Sequence, residues 1–430
     1  MSGVSKQAQV VVIGAGIAGT MTAYQLAKRG VPTVLCEKGR VAGEQSSRNW
    51  GWIRKQGRDY REIPAIIESL RIWESLEKEI EADVGWHQAG TLYIAETDDD
   101  LAYFEDWLGH ARDYQLDSRM LSSNEVDDLT GGEGRKWKGG IYTPSDGRAE
   151  PAKAAPAIAK AFERLGGTVL TECAVRTVET AAGKVSGVVT EKGPIACQAV
   201  VCAAGAWSSL FSGNLGHAFP QLKVKASVLR TKPAPLITQT SVGSPGAALR
   251  RRQDGGYTIA RSGSSYFQIT PDAFKYFRQF LPAMKTSMRP RLRFSGAFFQ
   301  ELARPKRWTG EDVTVFEKTR VLNPKPHAET LRDVLMTAKK NFPQLGDLEI
   351  AEAWAGMIEV TPDAIPVWSG VDGLDGYFIA SGFSGHGFGM GAATGLIMSE
   401  LVMDGKSRVD LDAFRLSRFT DGSPLELNAR

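Results

Sequence analysis

The run from Val10 to Gly39, VVVIGAGIAGTMTAYQLAKRGVPTVLCEKG, restricts what this chain can fold into more than any other segment. Val10–Ile13 is an unbroken apolar run, the pattern of a parallel strand buried on both faces. Gly14, Gly16 and Gly19 follow as G-x-G-x-x-G. The first glycine permits a tight turn, the second admits a pyrophosphate to the backbone, and the third lets a helix press on the strand. Gly16, Gly19, Ala23, Leu26 and Ala27 share one helical face and are mostly small, so this helix can lie close to a sheet. Gly30 suits the helix stop. Thr33–Cys36 reads as a second strand ending at Glu37, roughly 20 residues beyond the last glycine, where an acid accepts from a ribose diol and repels a 2′-phosphate. The segment predicts a βαβ dinucleotide clamp and disfavours NADP.

Two later segments decide which dinucleotide. QAVVCAAGAWSSLF (Gln198–Phe211) is an apolar strand that breaks at Ala204-Gly205-Ala206. GYFIASGFSGHGFGMGAATGLIMSELVMDG (Gly376–Gly405) is a strand entering a glycine-rich loop, with a helix expected from about Met390. Helix N-termini present free N–H groups and partial positive charge to polar ligand atoms. A nicotinamide enzyme reads its cofactor within one block, which leaves these segments unexplained. An extended, resident FAD needs chain from the start, middle and end. GEQSSRNWGWIRKQGRD (Gly43–Asp59) adds hydroxyls, an amide and glycines directly after the ribose acid.

Bulk properties narrow the class. The 430 residues exceed one ordinary domain, and a net charge of +3 argues against affinity built on phosphate neutralisation, hence against a nucleic-acid partner. No apolar run reaches the roughly 18 residues of a spanning helix, and the N-terminus lacks a signal-peptide pattern. Cys36, Cys173, Cys197 and Cys202 have neither disulfide-framework nor zinc spacing, so they read as reduced core thiols and no metal is expected. A cytoplasmic protein is the expectation. Two basic, partly apolar stretches, LRRRQ (Leu249–Gln253) and KYFRQFLPAMKTSMRPRLRF (Lys275–Phe294), leave open a peripheral contact with an anionic inner membrane, beside the plainer reading of a solvated face.

The fingerprint with Glu37, VVCAAGAWS, WAGMIEVTPDAIPV (Trp354–Val367) and GFSGHGFGMG (Gly382–Gly391) together resemble the FAD-dependent family of D-amino acid oxidases, glycine oxidases, sarcosine oxidases and D-amino acid dehydrogenases. The likeness runs from Val10 to about Leu416 and is nearest to bacterial dehydrogenase-like members with an SSRNWGW segment. It implies an α/β fold in which a Rossmann-like FAD-binding domain (1–80, 145–215 and 345–430) interleaves with a mixed-sheet substrate-binding domain (81–144 and 216–344). Carried onto this chain, the cofactor contacts are Gly14, Gly16, Ile17, Ala18 and Gly19 of the fingerprint, then Glu37 and Lys38. Ser46, Ser47, Arg48, Asn49, Trp50, Gly51 and Trp52 follow in the wrapping segment, then Val175, Ala204, Gly205 and Trp207. Gly356, Gly382, Gly385, His386, Gly387, Phe388 and Gly389 complete the set. Some relatives tether flavin to a cysteine near AGMIEVTPD; none lies beyond Cys202 here, so the FAD is expected to be non-covalent.

The implied reaction is oxidation of an amine C–N bond to an imine, by hydride transfer to flavin N5, followed by hydrolysis. The substrate would be a D-amino acid, an opine or a hydroxyproline-like secondary amine, with oxygen or a quinone as acceptor. Such chemistry needs substrate anchors rather than a triad. Family members often place a carboxylate-gripping arginine in the segment occupied here by Met357, Ile358 and Glu359. Arg54 is the leading replacement and Arg261 the next, since a guanidinium matches a carboxylate with two parallel hydrogen bonds; a structural ion pair is the alternative for each. Glu359 would recognise a cationic tail or serve the fold, and His386 would tune the ring, act as a base or work through its backbone. Trp50 and Trp52 wall the substrate or pack beside the ring. The competing functions are an FAD-bearing subunit of a hetero-oligomeric dehydrogenase, inactive alone, and a flavin monooxygenase; the latter usually carries a GD motif that GLDGYFIASGFSGHG lacks. Homo- or hetero-oligomer formation stays open.

Overall fold

The computed structural model describes residues 6–132, 137–261, 266–284 and 291–428. Its first sheet has nine strands, and Val10–Ile13 lies inside it between Thr33–Cys36 and Ala199–Cys202, parallel to both. Leu374–Ser381 and Thr168–Leu170 extend the parallel array on either side. Val10 and Val12 enter the core on one face with Met21, Leu26, Trp73 and Phe162. Val11 and Ile13 enter the core on the other face with Val200, Phe211 and Tyr377. An unbroken apolar strand is what double-sided burial requires.

Helix Ile17–Lys28 packs between Pro151–Arg164 and the long helix Gly387–Asp404, which in turn packs on Ile63–Ile80. Small residues make this stacking close: a Cβ on Gly395 would stand 2.5 Å from the backbone of Met21. Gly387–Asp404 starts three residues earlier than the expected Met390, with His386 as its N-cap and Gly405 in the left-handed region closing it. The earlier start follows from Gly385, whose φ of +92° turns the chain sharply enough for Gly387 to begin the helix.

The second sheet has ten strands and roofs the first, with Thr91–Ala95, Gly139–Thr143, Leu222–Thr231, Ala247–Arg251 and Tyr257–Ala260 among them. Leu92, Ile94, Leu229, Val242, Leu249 and Ile259 pack on its helical cover with Leu331 and Val334. A small three-stranded sheet, Trp52–Ile53, Gly147–Arg148 and His87–Gln88, stitches the two layers. Asp98–Asp113 is a helix whose start is fixed by a capping box between Thr97 and Asp100. Strand Ile350–Val360 falls on the cofactor side of a division at 345, yet it pairs along Leu222–Thr231 in the second sheet. The pairing runs its whole length, from Ile350 opposite Thr231 to Val360 opposite Leu222, so the strand belongs to the second sheet throughout.

The basic stretches differ in fate. In LRRRQ, Leu249 and Arg250 are buried and Arg250 is ion-paired with Glu150, so this segment is a strand and no membrane-facing arm. The stretch Lys275–Phe294 lies partly outside the described residues. Its described part exposes Phe277, Leu281, Leu292 and Phe294, with exposed Phe274 just before it and Phe299 and Leu302 beyond. No helix among the described residues is long and apolar enough to cross a membrane. All four cysteines are free and buried.

The TPD turn after Ile350–Val360 is held by one buried pair. Asp363 and Arg418 are 1% and 3% exposed, joined by hydrogen bonds of 2.8 and 3.1 Å, and Arg418 also donates to the Ile365 carbonyl. Removing one partner strands the other charge in the core, so Asp363→Ala is expected to cost about 3–5 kcal/mol of unfolding free energy. Urea denaturation followed by tryptophan fluorescence measures it; a loss below about 1 kcal/mol would show that the pair does not hold the turn.

A candidate cofactor cavity and an adjoining buried polar cluster

The turn after Val10–Ile13 is shaped by two glycines. Gly14 has φ +100°, and a Cβ there would lie 2.6 Å from the Ala203 carbonyl oxygen. Gly19 sits directly beneath: its Cβ would fall 1.8 Å from the Gly14 carbonyl oxygen. The helix is thereby drawn against the turn, and its N-terminus opens onto a cavity.

Segments from the start, middle and end of the chain line this cavity, as an extended dinucleotide requires. Gly14, Gly16, Ile17, Ala18, Glu37, Lys38, Ser46, Asn49, Val175, Ala204, Gly205, Trp207, Gly385, Gly387 and Phe388 all reach it. Glu359, singled out as a substrate group, lines the same cavity. Ser46 Oγ accepts from the Ile17 N–H at 2.8 Å, and its own hydrogen remains to donate. Glu37 accepts from the Ala15 and Gly39 N–H groups at 2.9 and 2.7 Å. Burial pushes its carboxyl up against the opposing pull of those amides and Lys38. Each carboxylate oxygen keeps acceptor capacity for a ribose hydroxyl. Lys38 is spent elsewhere: its ammonium bonds Glu44 and the Thr319 and Arg320 carbonyls at 2.7, 2.8 and 2.9 Å.

The remaining expected contacts stand behind this lining. Gly19 supports the turn. Ser47 Oγ donates to the Glu44 carbonyl. The Arg48 guanidinium ties the Leu322, Ala355 and Gly43 carbonyls together, bracing the wall. Trp50 meets Trp52 edge to face at 5.6 Å, and Trp52 meets Tyr93 at 5.8 Å. Gly51 packs on the Ala149 carbonyl and Arg250, Gly356 on Gln45, and Gly382 on Thr361 and Phe219. The Gly389 carbonyl accepts from Ser69 and Trp73. Sequence reasoning missed Ala174, Phe316, Met357, Ile358 and Phe383 as lining residues. Phe316 carries no local signal, because it arrives from a separate segment. Glu44 and Gln45 lie in the wrapping segment, but their roles need the fold: Glu44 accepts from Lys38, the Trp207 indole and the Leu322 N–H.

A second set of charges adjoins the first. Glu62 is wholly buried, and His386 Nδ1 approaches its two oxygens at 3.2 and 3.4 Å. Burial resists ionisation of Glu62, but His386, Arg58 and Arg54 outweigh it and hold the carboxyl below its usual range. Burial, helped by Arg58, holds His386 below its usual pKa against the pull of Glu62. Ionised Glu62 and neutral His386 place the imidazole proton on Nδ1 and leave Nε2 an acceptor. Arg58 is buried with its Nη1 unpartnered, and desolvation lowers its pKa to about 10, so it stays charged at neutral pH. Arg54 lies over the Tyr93 ring at 5.4 Å and makes no ion pair among the described residues. Arg261 stands elsewhere, 3.9 Å from Asp333 on the helical cover. Burial, with some help from Glu44, pushes the Glu359 carboxyl up to about 7.

The cavity fits FAD on its own features. Gly14 and Gly19 leave backbone uncovered where a pyrophosphate would approach, and the Gln45 Oε1 is buried without a partner at the wall. A Rossmann turn alone would fit any dinucleotide; the added reach to Gly385, Gly387 and Phe388 and to Met357–Glu359 is what a flavin end needs. Among the described residues no group of three or more His, Cys, Asp or Glu could hold a metal ion.

Comparison with known proteins agrees with this geometry. A family model described as FAD dependent oxidoreductase matches residues 9–401. Sarcosine dehydrogenase of Mus musculus is 26% identical over 96% of this chain, which spans only 41% of that longer protein. Sarcosine oxidase subunit beta of Rhodobacter capsulatus is 25% identical, covering 97% of this chain and 90% of that subunit. The solved L-amino acid deaminase from Proteus myxofaciens superposes with a TM-score of 0.94 at 29% identity, covering 98% of this chain and 95% of that one. The fold, the cavity and the family match lead to one conclusion: this chain belongs to the FAD-dependent oxidoreductase family.

Proposed function

We propose that this protein oxidises the C–N bond of an amino acid or secondary amine to an imine, which water then hydrolyses. The carrying observation is the cavity that joins the fingerprint turn, Ala204-Gly205, Met357–Glu359 and Gly385, Gly387 and Phe388. In this reading residues 1–80, 145–215 and 345–430 bind FAD without a covalent bond, and 81–144 and 216–344 roof the substrate. Bound flavin supplies a two-electron acceptor. The chain supplies the rest. Arg54, lacking an ion-pair partner among the described residues, receives the substrate carboxylate. His386 Nε2 accepts the ammonium proton, and Glu62 holds the imidazole in that tautomer through Nδ1. Glu359 selects for a positively charged substrate tail.

The acceptor is a quinone or oxygen. Exposed Phe274, Phe277, Phe294 and Phe299 beside exposed Lys275, Arg278, Arg293 and Lys306 support peripheral contact with an anionic membrane. The same surface supports the second reading, a flavin-bearing subunit that needs a partner chain, a reading favoured by likeness to a sarcosine oxidase subunit.

Gly19→Val is expected to purify colourless, because its side chain would displace Gly14 from the turn; a yellow variant with undiminished flavin content removes the fingerprint from the cofactor site. Anaerobic titration of the yellow protein with D- and L-amino acids, opines and secondary amines should bleach the flavin with one class. Arg54→Gln should raise the concentration needed by about tenfold or more, the worth of a charge-assisted pair. Bleaching by no amine overturns the reading. For pH, protonation of His386 at low pH removes the base, so kcat/KM falls on the acid side. Glu62 favours the charged imidazole, so Glu62→Gln should lower the His386 pKa and move that limb to lower pH. An acid limb that stays in place excludes His386 as the titrating group.

A further inference from the structure

LRRRQ is not explained by the oxidation chemistry, and the fold gives it a different neighbourhood. Away from the flavin cavity, and sharing no lining residue with it, lies an open depression. Its wall is Trp86 and His87, Arg148 and Gln239, and Arg251 and Arg252, with Gly85, Gln253 and Gly255 at the edge. Arg148 is 5% exposed, so its guanidinium is nearly removed from water. It donates to the Gln239 side-chain carbonyl at 2.8 Å, its Nε has no partner, and among the described residues it has no ion-pair partner.

The surrounding charges do not neutralise it. Glu150 is taken by Arg250 at 2.9 Å in a buried pair, with Arg252 at 3.8 Å. Asp254 is shared by Arg252 and Arg230 at 3.1 and 3.3 Å, and Glu352 accepts from Arg230 as well. Asp83 is held by Lys153. Arg251 donates to the Ala234 carbonyl and rests on the Tyr257 ring, with no carboxylate partner among the described residues. His87 also faces Arg148, and burial together with that arginine keeps the imidazole below its usual pKa. Arg148 and Arg251 are thus left as two cations beside one depression, one of them buried with a free donor. A buried charge without a counter-charge is costly, and an anion bound beside it would offset that cost.

We propose that this depression is a binding site for a small oxyanion, a carboxylate or a phosphate, separate from the flavin and its substrate. Arg148 Nε is the buried donor and Arg251 lines the rim. Both anion types offer the in-plane oxygen pair that a guanidinium matches.

Isothermal titration calorimetry on the flavin-loaded protein tests it, with inorganic phosphate and succinate as separate probes at ionic strength fixed by sodium chloride. At least one should bind saturably at one site, tighter than about 10 mM, and leave the flavin spectrum unchanged. A response to phosphate alone or succinate alone names the ligand class. Arg148→Gln should weaken that binding by about tenfold or more, and Arg251→Gln should weaken it in the same sense. If Arg148→Gln does not retain flavin, the Arg251→Gln titration decides. Absence of saturable binding by both probes, binding equal to wild type in the decisive variant, or binding that perturbs the flavin spectrum overturns the proposal.

Discussion

The close approach of Gly19 to the Gly14 carbonyl is the contact on which the rest of the molecule is arranged. It draws helix Ile17–Lys28 against the tip of its strand, which sets where that helix points and where its free N–H groups emerge. The same helix then meets Gly387–Asp404 through Gly395, so the two helix N-termini that flank the cavity share one packing interface. No side chain could replace these contacts, because each is backbone against backbone at less than a methyl group's width. The cavity is therefore a product of what the glycines lack.

Buried charge is the second organising theme, and it is handled by pairing. Arg418 with Asp363 fixes the turn after Ile350–Val360, and Arg250 with Glu150 fixes the seam between Ala247–Arg251 and helix Pro151–Arg164. Glu62, His386, Arg58 and Arg54 form the less settled group. A neutral imidazole beside an ionised carboxylate and two guanidiniums leaves positive charge in excess. Such an excess beside a cofactor cavity favours an anionic substrate group, whereas the excess around Arg148 lies outside that cavity.

Strand Ile350–Val360 shows how the two layers cooperate. It pairs with Leu222–Thr231 along its whole length, and near its end Met357, Ile358 and Glu359 also line the cavity. One strand thus ties the position of the roof to the floor, and the TPD turn with its buried ion pair anchors it beyond the last strand residue.

The sequence by itself determined the clamp. Gly14, Gly16 and Gly19 were legible because a tight turn and a close helix each demand a residue type at a set spacing, and Glu37 was legible as the acid that ends the second strand and reaches the cavity. The two distant glycine segments were legible for the same reason, and most of the cavity lining followed from them. Local patterning could not say which members of a segment face inward: Ser46 and Asn49 do, whereas Ser47, Arg48 and Trp50 brace from behind, and that depends on how a short helix rolls against its wall. Nor could it bring Phe316 to the cavity, join Glu62 to His386 across hundreds of residues, or leave Arg148 without a carboxylate. Those outcomes rest on long-range packing and on which charges remain after neighbours have paired, and only the tertiary structure decides that.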